Sequence, residues 1–175
     1  MTDCKEMIVI KIRIIGSCGS GKSTIAREIS NKFGIPCFEL DNLVWNTDHR
    51  YSDEERDSKL AEILKQETWI IEGVHYKWVL ESFRDADLII MITPNTWIRD
   101  YRIIRRFIRT RIGIESWNYK QSVHNLIEMM KWNKKYDQEH FPCIFDLTEC
   151  YSHKRIIVRN QEDTLTHMDR FLINR

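Results

Sequence analysis

Nine consecutive residues near the amino end, Gly16-Ser17-Cys18-Gly19-Ser20-Gly21-Lys22-Ser23-Thr24, have the types and spacing needed to hold phosphate. Glycines at 16, 19 and 21 let the backbone curl so that successive N–H groups converge on an anion at the positive end of a helix. The Gly-x-x-x-x-Gly-Lys-Ser pattern then assigns Lys22 to the β- and γ-phosphates and the Ser23 hydroxyl to Mg²⁺, while Thr24 adds a donor near the α-phosphate. All nine positions are therefore expected to bind a nucleotide, and we read the ligands as ATP and Mg²⁺. Cys18 sits among these amides, which can lower the pKa of a thiol, but the favoured reading is an inert filler position.

A phosphate cradle needs a strand before it and a helix after it, and the chain supplies both. Ile8–Ile15 is largely apolar and β-branched, interrupted by Lys11 and Arg13, and Ile25–Phe33 reads as a helix stopped by Gly34. Further strands are expected at Pro36–Leu40, Trp69–Ile71, Asp87–Ile92 and Arg155–Arg159. Helices are expected from the Ser52-x-x-Glu55 capping box to Gln66, over Lys77–Phe83, Thr96–Arg111, Asn118–Lys134 and Thr164–Ile173. Asn42–Tyr51 reads as a polar loop, and residues 137–153 show no clear period. Strands alternating with helices predict an α/β domain spanning 1–175, its parallel sheet covered on both faces.

Composition narrows the field. The chain has 175 residues, 42% hydrophobic and 30% charged, with six Gly and three Pro, which excludes a disordered or collagen-like protein. No apolar run is long enough to span a bilayer, and Met1–Met7 does not read as a secretory leader, so the expected location is the cytoplasm and no membrane partner is expected. Five cysteines without a C-x-x-C pair read as reduced thiols, and no Cys/His spacing suits zinc. Base recognition of the GTPase type (N-K-x-D) is missing, as is an Asp-Glu pair after a strand of the helicase type. A small kinase remains.

The sequence resembles the nucleoside-monophosphate and shikimate kinase-like P-loop enzymes, and more closely the adenylate-kinase-related DNA topology modulation proteins. The residues that carry this are Gly16–Thr24, Leu40-Asp41-x-x-x-Trp45, Trp69-Ile-Ile-Glu72-Gly73, Asp87–Ile92 with Thr93-Pro94, the arginine helix Arg99–Arg111 and the late strand Arg155–Arg159. The resemblance implies a three-layer P-loop NTPase fold: five parallel strands in the order 2-3-1-4-5, helices on both faces, and a small Arg-rich lid at about 109–118. It places Asp41, at the end of strand 2, beside the metal or the acceptor hydroxyl, and Glu72, at the end of strand 3, in the metal shell. The loop at Asn160–Glu162 falls where relatives pack the adenine. Trp45, His49, Arg50, His75, Tyr76 and Lys77 lie in the loops that relatives use for the second substrate. After Glu72-Gly73 adenylate kinases usually read Phe-Pro-Arg, a clamp for the acceptor's phosphate. This chain reads Val74-His75-Tyr76-Lys77, so the resemblance does not carry AMP over as the acceptor.

Charge adds a further signal. The formal net charge is +1, yet residues 1–95 carry −4 and residues 96–175 carry +5, and six arginines fall between Arg99 and Arg111. On a helical wheel Arg102, Arg105, Arg106 and Arg109 share one arc with Arg99 at its edge, while Trp97, Tyr101, Ile104, Phe107 and Ile108 cover the other side. The apolar side is expected to pack, leaving a single-signed face for anions. Arg105 and Arg109 are the candidates for contact with the transferring phosphate, and Arg102 or Arg106 for the adenine face. Lys22, Asp41, Arg105 and Arg109 are thus the expected catalytic residues, and Ser23, Asp41 and Glu72 the expected metal ligands. The predicted activity is transfer of the γ-phosphoryl of Mg-ATP to a small acceptor, nucleotides among the candidates. The competing reading is a nucleotide-dependent regulatory protein whose arginines meet DNA or RNA.

Overall fold

The computed structural model describes residues 9–46, 49–113 and 122–173. Five strands, β1 (Lys11–Gly16), β2 (Cys37–Glu39), β3 (Trp69–Glu72), β4 (Leu88–Ile92) and β5 (Arg155–Val158), form one parallel sheet in the order β2-β3-β1-β4-β5. The helices are α1 (Lys22–Phe33), α2 (Asp41–Val44), α3 (Asp53–Leu64), α4 (Leu80–Asp85), α5 (Thr96–Arg111), α6 (Val123–Lys135), α7 (Phe141–Leu147) and α8 (Gln161–Ile173). This is the expected parallel five-stranded architecture and matches a P-loop NTPase fold. Of the expected lid, residues 109–113 end α5 and its turn, and 114–118 lie outside the described residues.

Strand alternation sorts the core into two layers. Ile12 and Ile14 of β1, Ile70 and Ile90 point to one face, where they pack on Ile25, Ala26 and Ile29 of α1 and Met168 of α8. Ile15, Ile71, Ile89 and Met91 point to the other and meet Leu60 and Ile63 of α3, Phe83 of α4 and Ile144 of α7. Leu88–Ile92 is buried throughout, as a central parallel strand under two helical layers must be.

Three expectations change. Asn42–Tyr51 is not all loop: α2 begins at Asp41, and Trp45 and Arg50 form an antiparallel bridge. The unplaced stretch 137–153 is helical, with a π turn over Tyr136–His140, then α7, then a 3₁₀ stretch over Glu149–Lys154. Neither tight nor wide turns carry the 3.6 period, so no amphipathic pattern marks them. The third change concerns α5, whose apolar side does not pack. The helix buries Arg99 and Ile103 and leaves Trp97, Tyr101, Ile104 and Ile108 exposed. Ile103 lies against Gly19 and the Arg99 guanidinium reaches Ser17, so the arginine side is the one turned towards the P-loop.

Candidate active site

β1 runs into the P-loop at Gly16, where a Cβ would lie 2.7 Å from Ser20 Oγ and 2.9 Å from the Ile92 carbonyl. Gly19 has φ 73° and Gly21 φ 94°, conformations that side chains resist, and a Cβ on Gly19 would stand 2.8 Å from the Arg99 carbonyl. Gly21 caps α1, and no side chain accepts from the helix's first amides. The head of α1 is therefore left open to an anion.

Ser23, in the first turn of α1, donates its hydroxyl to Glu72 Oε1 at 2.6 Å. Glu72 ends β3 and is only 3% exposed; its Oε2 is buried with no hydrogen-bond partner among the described residues. Burial pushes the Glu72 carboxyl above its ordinary range, against the opposing pull of Lys22 and the Ser23 hydrogen bond. Gly73, next in the chain, is pressed against Leu40 so closely that a Cβ would meet it at 2.9 Å. This packing sets the end of β3 beside the end of β2.

Asp41 opens α2 there, and its Oδ1 lies 3.3 Å from His75 Nε2. The His75 hydrogen bond, aided by Lys22, holds the Asp41 carboxyl below its ordinary range. The charge of Lys22 acts on Asp41, Glu72 and Cys18 alike. A hydroxyl, one buried carboxylate with a vacant oxygen and one exposed carboxylate form the kind of donor set that suits Mg²⁺ shared with phosphate oxygens. Among the described residues no cluster of three or more His, Cys, Asp or Glu side chains could cage a metal alone. The donor set thus fits a metal that arrives with its nucleotide.

The arginines divide. Arg102 Nη1 donates to the Ser20 carbonyl at 3.0 Å and the Gly19 carbonyl at 3.3 Å, so it lies on the P-loop. Arg105 is exposed with no hydrogen-bond or ion-pair partner among the described residues, and Arg109 is half-buried a turn further on. No contact of Arg105 or Arg109 with the P-loop is seen. Arg106 donates to Met129 Sδ at 3.3 Å, joining α5 to α6. Arg99, read as the edge of a charged arc, is 3% exposed. It donates to Ser17 Oγ at 2.7 Å, to Thr96 Oγ1 at 3.1 Å and to both carboxylate oxygens of Asp137.

The P-loop is also held from outside at two points. Ser17 accepts from Arg99, and Asn133 Nδ2 donates to the Cys18 carbonyl at 3.0 Å. The Cys18 thiol is pushed up by burial, as suits an inert filler position. Thr24 is exposed. A cavity of about 550 Å³ opens at the carboxyl ends of β4 and β5, lined by Thr93, Thr96, Arg99, Asp137, Phe141 and Ile157 among others. It lies on the β4 side of the P-loop, away from the β2–β3 edge that carries Asp41 and Glu72.

Arg13 escaped sequence reasoning. It is wholly buried in β1, and its guanidinium donates to the carbonyls of Ile14 (2.5 Å), Ile71 (3.1 Å), Gly73 (3.2 Å) and His75 (2.7 Å) while lying 5.1 Å from the Phe83 ring centre. Burial lowers its pKa to about 10. It pins the loop that delivers His75 to Asp41. Elsewhere on the acceptor side, Arg50 stacks on Trp45, His49 meets Tyr51 edge-on, and the Tyr76 hydroxyl is 3.1 Å from His140 Nδ1. Asn160 Oδ1 accepts from the Asp163 amide, so this side chain caps α8.

No protein-family model matches the sequence, and a search of curated proteins finds no match. Solved structures match over nearly the whole chain. Shikimate kinase from Acinetobacter baumannii, in complex with shikimate, gives a TM-score of 0.59 at 13% identity, covering 96% of this chain and 95% of that one. Shikimate kinase from Bacteroides thetaiotaomicron gives 0.55 at 14%, covering 93% and 98%. An uncharacterized protein from Eubacterium ventriosum gives 0.56 at 14%, covering 96% and 100%. At these identities the likeness is one of fold alone.

Proposed function

We propose that this chain is a single-domain P-loop kinase that transfers the γ-phosphoryl group of Mg-ATP to the hydroxyl of a small acceptor, with residues 109–118 as its lid. The observation that carries the reading is the pairing of Ser23 with Glu72 at the head of the P-loop, with one carboxylate oxygen buried and unclaimed. Ser23, Glu72 and Asp41 would hold Mg²⁺, which supplies charge neutralisation between the phosphates when bound. Lys22 and the open amides of α1 grip the phosphates, and Arg102 steadies the loop that presents those amides. Arg105 and Arg109 are the arginines assigned to the charge that develops on the transferring phosphoryl. Asp41, tethered to His75, is the acid placed to orient an acceptor hydroxyl or accept its proton. The Leu40-Asp41 and Glu72-Gly73 elements support a relation to the adenylate-kinase-related topology modulation proteins. The missing arginine clamp after Gly73 argues for an acceptor other than AMP.

Phosphorus NMR with Mg-ATP and a panel of nucleoside monophosphates, nucleosides and small hydroxy acids tests this reading. The expected result is one new phosphorylated product, lost in Lys22→Ala while circular dichroism shows the fold intact. Turnover by Lys22→Ala equal to wild type, or ATP binding with no product from any acceptor, would overturn it.

A further inference from the structure

The reversed orientation of α5 leaves an apolar surface that nothing among the described residues covers. Trp97, Tyr101, Ile104 and Ile108 follow at spacings of four, three and four, the repeat that draws one continuous seam along a helix. Trp97 is 82% exposed, Tyr101 64%, Ile108 52% and Ile112 62%; Ile98 and Ile104 are exposed as well. Side chains of this size present roughly 700 Å² on one helix, beyond the patches of a typical monomer and close to the ~800 Å² that each partner brings to a standard interface.

We propose that this seam is a self-association surface: a second copy of the chain docks on it, α5 against α5, antiparallel about a two-fold axis beside Ile104. The area is that of a stable dimer. The order of side chains is self-complementary, because an antiparallel pairing sets Trp97 and Tyr101 of one copy on Ile112 and Ile108 of the other. The charges agree. Asp100 and Arg111 are eleven residues apart, three turns, and so lie on the same flank of the seam. Asp100 has no hydrogen-bond or ion-pair partner among the described residues, and Arg111 stacks on Phe107 at 5.4 Å. Antiparallel pairing about a two-fold axis brings each Asp100 beside the other copy's Arg111, giving two reciprocal ion pairs. Arg105 and Arg109 lie on the other flank, the side of Arg102. An anionic lipid surface would instead face Asp100. The inference rests on the exposed face of α5 and is independent of the reaction.

Sedimentation velocity on the full chain from about 1 to 100 µM is the test, a range that brackets ordinary dimer affinities. A species of twice 21.2 kDa is expected. Tyr101→Glu and Ile108→Asp should each weaken association at least ~30-fold. Asp100→Arg and Arg111→Asp should each weaken it, and the double variant D100R/R111D should restore it. A monomer throughout the range overturns the proposal, as does a dimer indifferent to both seam substitutions. A double variant no tighter than the single ones overturns the antiparallel register. A monomer that co-sediments with anionic but not neutral phospholipid vesicles would reassign the face to lipid and equally overturn it.

Discussion

Glu72 stands where a carboxylate is costly, buried at a strand end with one oxygen paired to Ser23 and the other to nothing described. Its pKa is raised, so between the ordinary carboxylate value and the raised one the folded protein holds a proton that the unfolded chain releases. The stability of the nucleotide-free protein therefore falls as pH rises through that window. A metal needs the ionised form, so stabilisation by Mg-ATP should grow with pH over the same range. Glu72→Gln is accordingly expected to raise the Tm of the nucleotide-free protein near pH 7.5 by a few degrees, and to erase the pH-dependent gain from Mg-ATP. Thermal melts with and without Mg-ATP from pH 5 to 8 check this. A variant no more stable than wild type that still gains stability from Mg-ATP would remove Glu72 from the metal shell. The P-loop pattern marks Ser23 in the sequence, whereas Glu72, at the end of an apolar strand, is singled out by the resemblance.

Other elements depend on partners that no spacing reveals. Arg13 looks like a flaw in an apolar strand, since the carbonyls it binds on Ile71, Gly73 and His75 are about 60 residues away. Arg99 looks like one more exposed cation until Asp137, 38 residues on, supplies its carboxylate. The wheel of α5 separated its two faces, but the expectation that the apolar one packs was wrong. Which face turns inward is decided by Asp137, Ser17 and the bare surface of Gly19. In energetic terms Arg13 serves as an internal hydrogen-bond hub. Arg13→Ala leaves buried carbonyls unpaired and opens a cavity, for an expected loss of about 3 kcal/mol or more. Arg27→Ala, which breaks the exposed pair with Glu39, should cost less than about 1 kcal/mol. Urea unfolding of both variants measures the contrast, and equal losses would make Arg13 a bystander.

At the scale of the whole molecule the charge is divided, −4 in residues 1–95 and +5 in residues 96–175, with the positive half concentrated on α5 beside the P-loop. Binding to DNA through those arginines would weaken steeply with salt, whereas closure of α5 on a nucleotide would not. Mg-ATP is expected to slow amide hydrogen exchange in Gly16–Thr24 and in α5 to a similar extent at about 50 and 300 mM salt. Protection by duplex DNA without nucleotide, lost at the higher salt, would favour the regulatory reading. The π turn over Tyr136–His140 joins this half of the molecule to the other. Asp137 reaches Arg99 and through it Ser17, while His140 meets Tyr76 in the loop after β3. Each residue in a helix advances the next by about 100°, so removing one residue from this turn would swing one anchor off its partner even if every side-chain type were kept. The stretch thus constrains the chain's length more tightly than its composition: substitutions can be absorbed there one at a time, but an insertion or deletion of a single residue would uncouple the phosphate loop from the acceptor edge.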